Sequence, residues 1–141
     1  MIDLSVSWLP FAVVALANFF FNYLYYSPAA PWFKAWAAGV GMDPGKRDMT
    51  EAERKEFPVL MGGALLSSLL LSWGLQVLVH NLGASDFLEG AVVGVVAWLA
   101  FAVTHSLNSR FEGRKPVVLL INNGIYLASY AGFAGLLAVW R

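Results

Sequence analysis

The sequence contains no cysteine and very little charge. Without a thiol there is no disulfide framework, no thiolate metal centre and no thiol redox chemistry. Only 13% of the 141 residues are Asp, Glu, Lys or Arg, about half the share found in soluble domains, while 59% are hydrophobic. Nine bases offset nine acids, so there is no basic excess to hold nucleic acid. The apolar content also excludes a disordered chain. Four stretches lack charge altogether: Leu4–Phe33, Phe57–Ser85, Gly90–Ser109 and Pro116–Trp140. Each is long enough to cross a bilayer, which takes about 20 residues of helix. A soluble single-domain enzyme is excluded on these grounds.

What is present reads as an all-α membrane protein, a single four-helix transmembrane domain over residues 1–141. Its spans fall at about 6–26, 58–80, 87–108 and 117–140. The apolar stretches are continuous and do not alternate in ten-residue units, so strands of an outer-membrane barrel are disfavoured. The first span has no basic residues before it and three more spans after it, and is expected to stay as an anchor. Lys34, Lys46, Arg47, Arg54 and Lys55 lie between the first two spans, and Arg110, Arg114 and Lys115 between the last two. Only Arg141 falls on the opposite side. Because basic loops are retained in the cytoplasm, both termini are expected outside, in the periplasm of a bacterial inner membrane.

The first cytoplasmic loop, residues 27–56, has structure of its own. Trp32, Phe33 and Trp36 beside Lys34 predict a short interfacial helix with its rings at headgroup level. Thr50 followed by Glu53 matches a capping box, which predicts a helical turn over residues 51–57 leading into the second span. The charge run there fits either a solvated connector or a docking surface for a partner.

No Asp, Glu, Lys or Arg lies deep in a span, which disfavours a fixed-charge proton relay or a voltage sensor. Amides, hydroxyls and one imidazole remain. Asn18 and Asn22 share a face of the first span, with Tyr25 and Tyr26 beyond. His105 shares a face with Phe101 and Asn108 in the third, with Thr104 and Asn108 an i,i+4 pair. Asn122 and Tyr126 stack in the fourth, with Ser129 one turn further and Asn123 alongside. At about 1.5 Å per residue, Asn22, His105 and Asn122 all lie roughly 6–9 Å below the cytoplasmic boundary. Asn18, Asn22, Tyr26, His105, Asn108, Asn122 and Tyr126 are therefore the candidate ligand-binding residues, for a small polar or amphipathic solute. The competing reading is that these groups only bond across helices and hold the bundle, which suits an accessory subunit that docks through residues 27–56. His80, the other histidine, belongs near the far surface, and no carboxylate or thiol completes a metal site with either. No cofactor is implied. An enzyme acting on lipid or quinone is the weakest reading, for want of a nucleophile and base pair.

Ala64, Ser68, Ser72, Gln76 and His80 recur every four residues in the second span. This small and polar ridge is either a packing face or, through Ser68, Ser72 and Gln76, one wall of a polar path. Gly90 with Gly94, and Gly124 with Ala128 and Gly132, form small-residue faces suited to close helix packing, within the chain or in a homo-oligomer.

The order of short motifs resembles a bacterial membrane family catalogued as domain of unknown function 1761. Tyr26-Ser27-Pro28 ends the first span, and Lys34 and Trp36 come shortly after. Phe111-Glu112-Gly113-Arg114 forms the second cytoplasmic loop, and Leu120-Ile121-Asn122 with Gly124 and Tyr126 lies in the last span. The family more usually has Trp-Tyr-Ser-Pro where this chain has Tyr25-Tyr26-Ser27-Pro28. The resemblance implies a four-helix membrane protein and no particular activity. It draws attention to Glu112 and Arg114, which a tight turn at Gly113 would bring face to face, either as a lipid-facing basic turn or as a reactive pair.

Overall fold

The computed structural model describes residues 1–45 and 48–140. Lys46, Arg47 and Arg141, three of the bases that enter the orientation argument, lie outside the described residues. The described residues form helices joined by turns. Helix α1 (Trp8–Tyr25) stops just before Ser27 and Pro28, and the Ser27 hydroxyl donates back to the Leu24 carbonyl at 2.7 Å. Helix α2 (Phe33–Gly39) is the expected short helix of the first loop. It lies against the start of the last helix. Ala37 is fully buried there, and a Cβ on Gly39 would collide with the Val118 side chain.

Helix α3 (Glu51–Asn81) begins on the capping box that the sequence predicts. Thr50 Oγ1 accepts from the Glu53 amide at 3.2 Å, and the Glu53 carboxylate accepts from the Thr50 amide at 2.7 Å. The helix runs without interruption through Pro58, so the loop turn and the second span are one element. The proline removes one backbone bond, to the Arg54 carbonyl, in exposed turns at the start of the apolar stretch. At the far end Gly83 takes φ +70°, and the amides of Gly83 and Ala84 return to the carbonyls of His80 and Val79. That closure of two open carbonyls needs a left-handed residue, which glycine supplies without strain.

Helix α4 (Phe87–Asn108) is capped by Asp86, whose carboxylate accepts from the Glu89 amide at 2.9 Å, and it contains a π-helical segment, Trp98–Val103. Helix α5 (Pro116–Val139) starts on a proline, whose missing amide hydrogen is not needed at that position. α1, α3, α4 and α5 are each long and apolar enough to cross a membrane.

α4 packs along α5 and α1 along α3, and contacts between α3 and α5 join the two pairs. Side chains such as Leu16, Phe20, Leu66, Leu70, Val92 and Val96 point outward, as suits a protein solvated by lipid. With apolar surroundings on both sides of an interface, close backbone approach and hydrogen bonds hold the helices together. Gly90 and Gly94 provide that approach within the chain. A Cβ on Gly90 would overlap the Ala134 carbonyl, and one on Gly94 would overlap Tyr130 and Ala131. This face is therefore occupied by α5 within the chain. Gly124 and Ala128 remain on the surface, and Gly132 has open space beside it.

The apolar core lies towards the chain's N-terminal end of the bundle, where Val14, Leu75, Val79, Ala84, Ala134, Leu137 and Ala138 form one buried cluster. Residues 1–7, outside any helix, cross this end as a strap. Asp3 and Asn81 exchange two bonds, the Asp3 amide donating to Asn81 Oδ1 at 2.9 Å and Asn81 Nδ2 to the Asp3 carbonyl at 2.7 Å. The Asp3 carboxylate also lies 3.3 Å from His80 Nε2.

Candidate functional site

The other end of the bundle holds the polar groups. α1 ends on two adjacent tyrosines, and both reach α5. Tyr25 Oη donates to the Ile121 carbonyl at 2.9 Å, and Tyr26 Oη donates to Asn122 Oδ1 at 2.8 Å. The turn at Ser27-Pro28 folds the chain back, so that Trp32 covers Tyr25 with ring centres 4.4 Å apart and Trp36 covers Tyr26 at 4.8 Å. Trp32 Nε1 donates to the Tyr25 carbonyl at 2.8 Å, closing the corner.

Deeper in the same helix, Asn22 Nδ2 donates to both the carbonyl and the side-chain oxygen of Asn18, at 2.9 and 3.2 Å. Asn18, itself buried, donates to Ser68 Oγ on α3 at 2.8 Å. One turn along α3, Ser72 Oγ donates to the Phe11 carbonyl at 2.8 Å. Two members of the α3 ridge thus fasten α3 to α1. The third, Gln76, is buried with its Oε1 unpartnered.

α4 is joined to α5 through the neighbouring asparagine. Ser106 Oγ donates to Asn123 Oδ1 at 3.2 Å, and Trp98 Nε1 donates to the Asn123 carbonyl at 3.1 Å. Asn122 and Asn123 are about 100° apart on α5, so one serves α1 and the other α4. Tyr126, one turn beyond Asn122, is half-buried.

His105 and Asn108 do not join this set. Both are exposed on the outer side of α4, as are Phe101 and Thr104, so the expected convergence of His105 with Asn22 and Asn122 is not formed. The cause is the π-helical segment. The buried residues of α4 are Gly90, Gly94 and Ala97, then Ala102, Ser106 and Ser109. The same four-then-three spacing appears twice, separated by one step of five. A turn closed by i→i+5 bonds adds one residue to the helix and rotates everything after it by about 100°. An unbroken α-helix would have carried Phe101, His105 and Asn108 inward. Ser106 and Ser109 take those places instead, and the five-residue step in the small-residue pattern is the signal that could have identified them. Thr104 Oγ1 donates back to the Ala100 carbonyl at 2.6 Å, within the π segment.

In the second loop Gly113 takes φ +79°, and Glu112 lies 3.9 Å from Arg114 Nε, with both side chains largely exposed. The guanidinium of Arg110 donates to the Arg114 carbonyl, and the Phe111 side chain stands free at 94% exposure. Such a solvated ion pair contributes little to stability and does not form an enclosed reactive pair. Among the described residues no three of His, Asp and Glu gather as metal ligands.

No curated protein and no solved structure matches the chain. A family model described as protein of unknown function (DUF1761) matches residues 9–138. That match takes in the four long helices except for Trp8 and Val139 at their outer ends, both polar asparagines of α5 and the Phe-Glu-Gly-Arg turn, and the chain belongs to this family.

Proposed function

We propose that this chain is a non-catalytic accessory subunit of a membrane assembly, with the amide, hydroxyl and phenol groups of its bundle acting as fasteners. One observation carries the reading. Asn18 donates to Ser68 on α3, Asn22 donates to Asn18 within α1, Tyr26 donates to Asn122 on α5, and His105 faces away from them. A solute held among these residues would need their donors free and the imidazole turned inward. Bonds from Asn18 to Ser68 and from Tyr26 to Asn122 instead fix helix positions, each interhelical bond contributing about 0.6–2 kcal/mol.

In this reading the chain is a multi-pass protein of a bacterial inner membrane, with both termini on the external side and residues 27–56 in the cytoplasm as the docking surface. The face of exposed Gly124 and Ala128 with Gly132, which has open space beside it, is the one left for a homo-oligomer.

The test has two parts. Asn22→Ala combined with Asn122→Ala should lower the melting temperature in detergent and leave the permeability of protein-containing liposomes to small solutes unchanged. Deleting residues 43–56 should release a co-purifying partner and leave the bundle folded. Solute flux abolished by the asparagine substitutions at unchanged stability would overturn the reading in favour of transport.

A further inference from the structure

A second polar site lies at the end of the bundle opposite the fastener. Ser68 and Ser72 both bond to α1, but α1 begins only at Trp8 and does not extend as far as Gln76. Residues 5–7, outside any helix, pass there instead and leave a cavity of about 190 Å³. Ser5, Ser7, Gln76 and His80 supply its polar lining, with Val79 and Leu137 beside them. Gln76 is only 6% exposed, and its Oε1 has no hydrogen-bond partner. A buried acceptor left unpaired weakens a fold, and most are paired in native proteins. Leucine, of similar volume, would fit the apolar surroundings better. An amide kept there at a cost to stability is accounted for if something enters the cavity and bonds to it.

The lining indicates what enters. His80 is the one ionisable group among the lining residues, and its Nε2 is already engaged by the Asp3 carboxylate at 3.3 Å, so the lining has no free charged group to pair with an ion. The terminal amide carries a donor and an acceptor that exchange places by rotation, so either can face a guest. A hydroxyl, which donates and accepts, matches both settings. The volume suits a molecule of roughly six non-hydrogen atoms, or several waters. We propose that this cavity binds a small uncharged polyol, anchored by the Gln76 amide and retained by the strap that Asp3, His80 and Asn81 tie down. The site is separate from the fastener and independent of the accessory-subunit reading.

Glycerol is the probe, with the full chain in nanodiscs and binding read by ligand-detected saturation-transfer NMR against empty discs. Wild-type protein should give a saturable signal that empty discs lack. Gln76→Leu should weaken binding about tenfold, the scale of one lost bond to a buried amide, while raising the melting temperature. Ser129→Ala should bind as wild type does, because Ser129 has the same kind of buried, unpartnered oxygen but lies outside the cavity lining. Ser7→Phe fills the space from the strap, outside any helix, and should abolish the signal even if Gln76→Leu fails to fold. A wild-type signal no greater than that of empty discs would show a cavity holding water only and would overturn the proposal. So would unchanged binding in Gln76→Leu or Ser7→Phe, or a lower melting temperature for a folded Gln76→Leu.

Discussion

Tyr26 and Asn122 show what a single polar contact does in this bundle. The phenol and the amide lie on different helices, and losing either leaves the other beside apolar neighbours. Tyr26→Phe keeps the ring on Trp36 and removes only the hydroxyl, so it isolates the hydrogen bond. Its expected cost is about 0.6–2 kcal/mol, read from reversible unfolding in mixed micelles. Asn122→Ala should cost a similar amount, and the double variant less than the sum, because both remove the same bond. His105→Ala should change stability very little, since the imidazole touches neither partner. A large loss in His105→Ala would mean that the imidazole has a partner in the assembled state.

Asp3 gives a second prediction at this scale. Hydrogen bonds from the Ser5 hydroxyl and amide, and then the facing His80, hold its carboxyl below the ordinary value of 3.8. A carboxylate held low favours the folded strap above its unfolded value, and that contribution is lost as pH falls through the lower folded value. The Ser5 amide, which donates to the Asp3 carboxylate, should therefore lose hydrogen-exchange protection on acidification below about pH 4. The Asp3 amide donates to Asn81, which does not titrate, and should keep its protection over the same range. Parallel loss at both amides would mean that the strap opens as a unit for another reason.

At the scale of the helix, the π-helical segment is the feature that decides which residues meet. If Trp98–Val103 accommodates one extra residue, removing one should restore an α-helix without disturbing the turns beyond it. Deleting Ala100 leaves Ala102, Ser106 and Ser109 in phase with Gly90, Gly94 and Ala97, so the bond from Ser106 to Asn123 should survive. Deleting Val92, also exposed, should be far more damaging, because it turns the Phe87–Gly90 end of the helix by about 100° relative to Gly94 and disturbs the fit of Gly90 against Ala134 on α5. Comparable melting temperatures for the two deletions would refute this account of the segment. The glycines can be tested directly. Gly94→Ala forces a methyl group into the Tyr130 backbone and should cost about 1–3 kcal/mol or more, whereas Gly132→Ala enters open space and should be near neutral.

This helix also marks where the sequence stops being readable. The four long helices, the Thr50 and Glu53 cap, the short helix after Ser27-Pro28 and the Gly113 turn all arise from local chemistry: apolar length, side chains that bond their own backbone, and residues that cannot continue a helix. Periodicity misplaces His105 because it reckons every face at a constant 100° per residue, and one inserted residue is enough to reverse such an inference. The division of labour between Asn122 and Asn123 is hidden for a related reason. Periodicity says that two neighbouring asparagines point in different directions, but not which helix each will meet. The unpartnered Gln76 is legible only as a member of the four-residue ridge. Nothing in that spacing shows that α1 stops short of it and leaves it facing a cavity.

For the molecule as a whole, the division of charge is a statement about orientation. With the spans in place, eight bases and six acids fall on the side of the two long connections, against one base and three acids on the side of the termini. Positively charged loops resist export, so the side with the basic loops is expected in the cytoplasm, and the turn before Asp86, which carries no base, outside. The absence of cysteine makes this testable without first removing any native thiol. Single cysteines at Ser85, in the turn between α3 and α4, and at Glu112, in the loop before α5, place one thiol at each end of the bundle. Neither position holds a buried side chain, so both variants should fold. A membrane-impermeant maleimide applied to intact spheroplasts should label Ser85→Cys and leave Glu112→Cys unreacted until the membrane is opened. The reverse pattern would place both termini inside, and the loop of residues 27–56 could then no longer serve as a cytoplasmic docking surface. Labelling of both thiols in intact cells would indicate dual insertion. That outcome would mean that the eight bases of the two loops together do not suffice to fix one orientation.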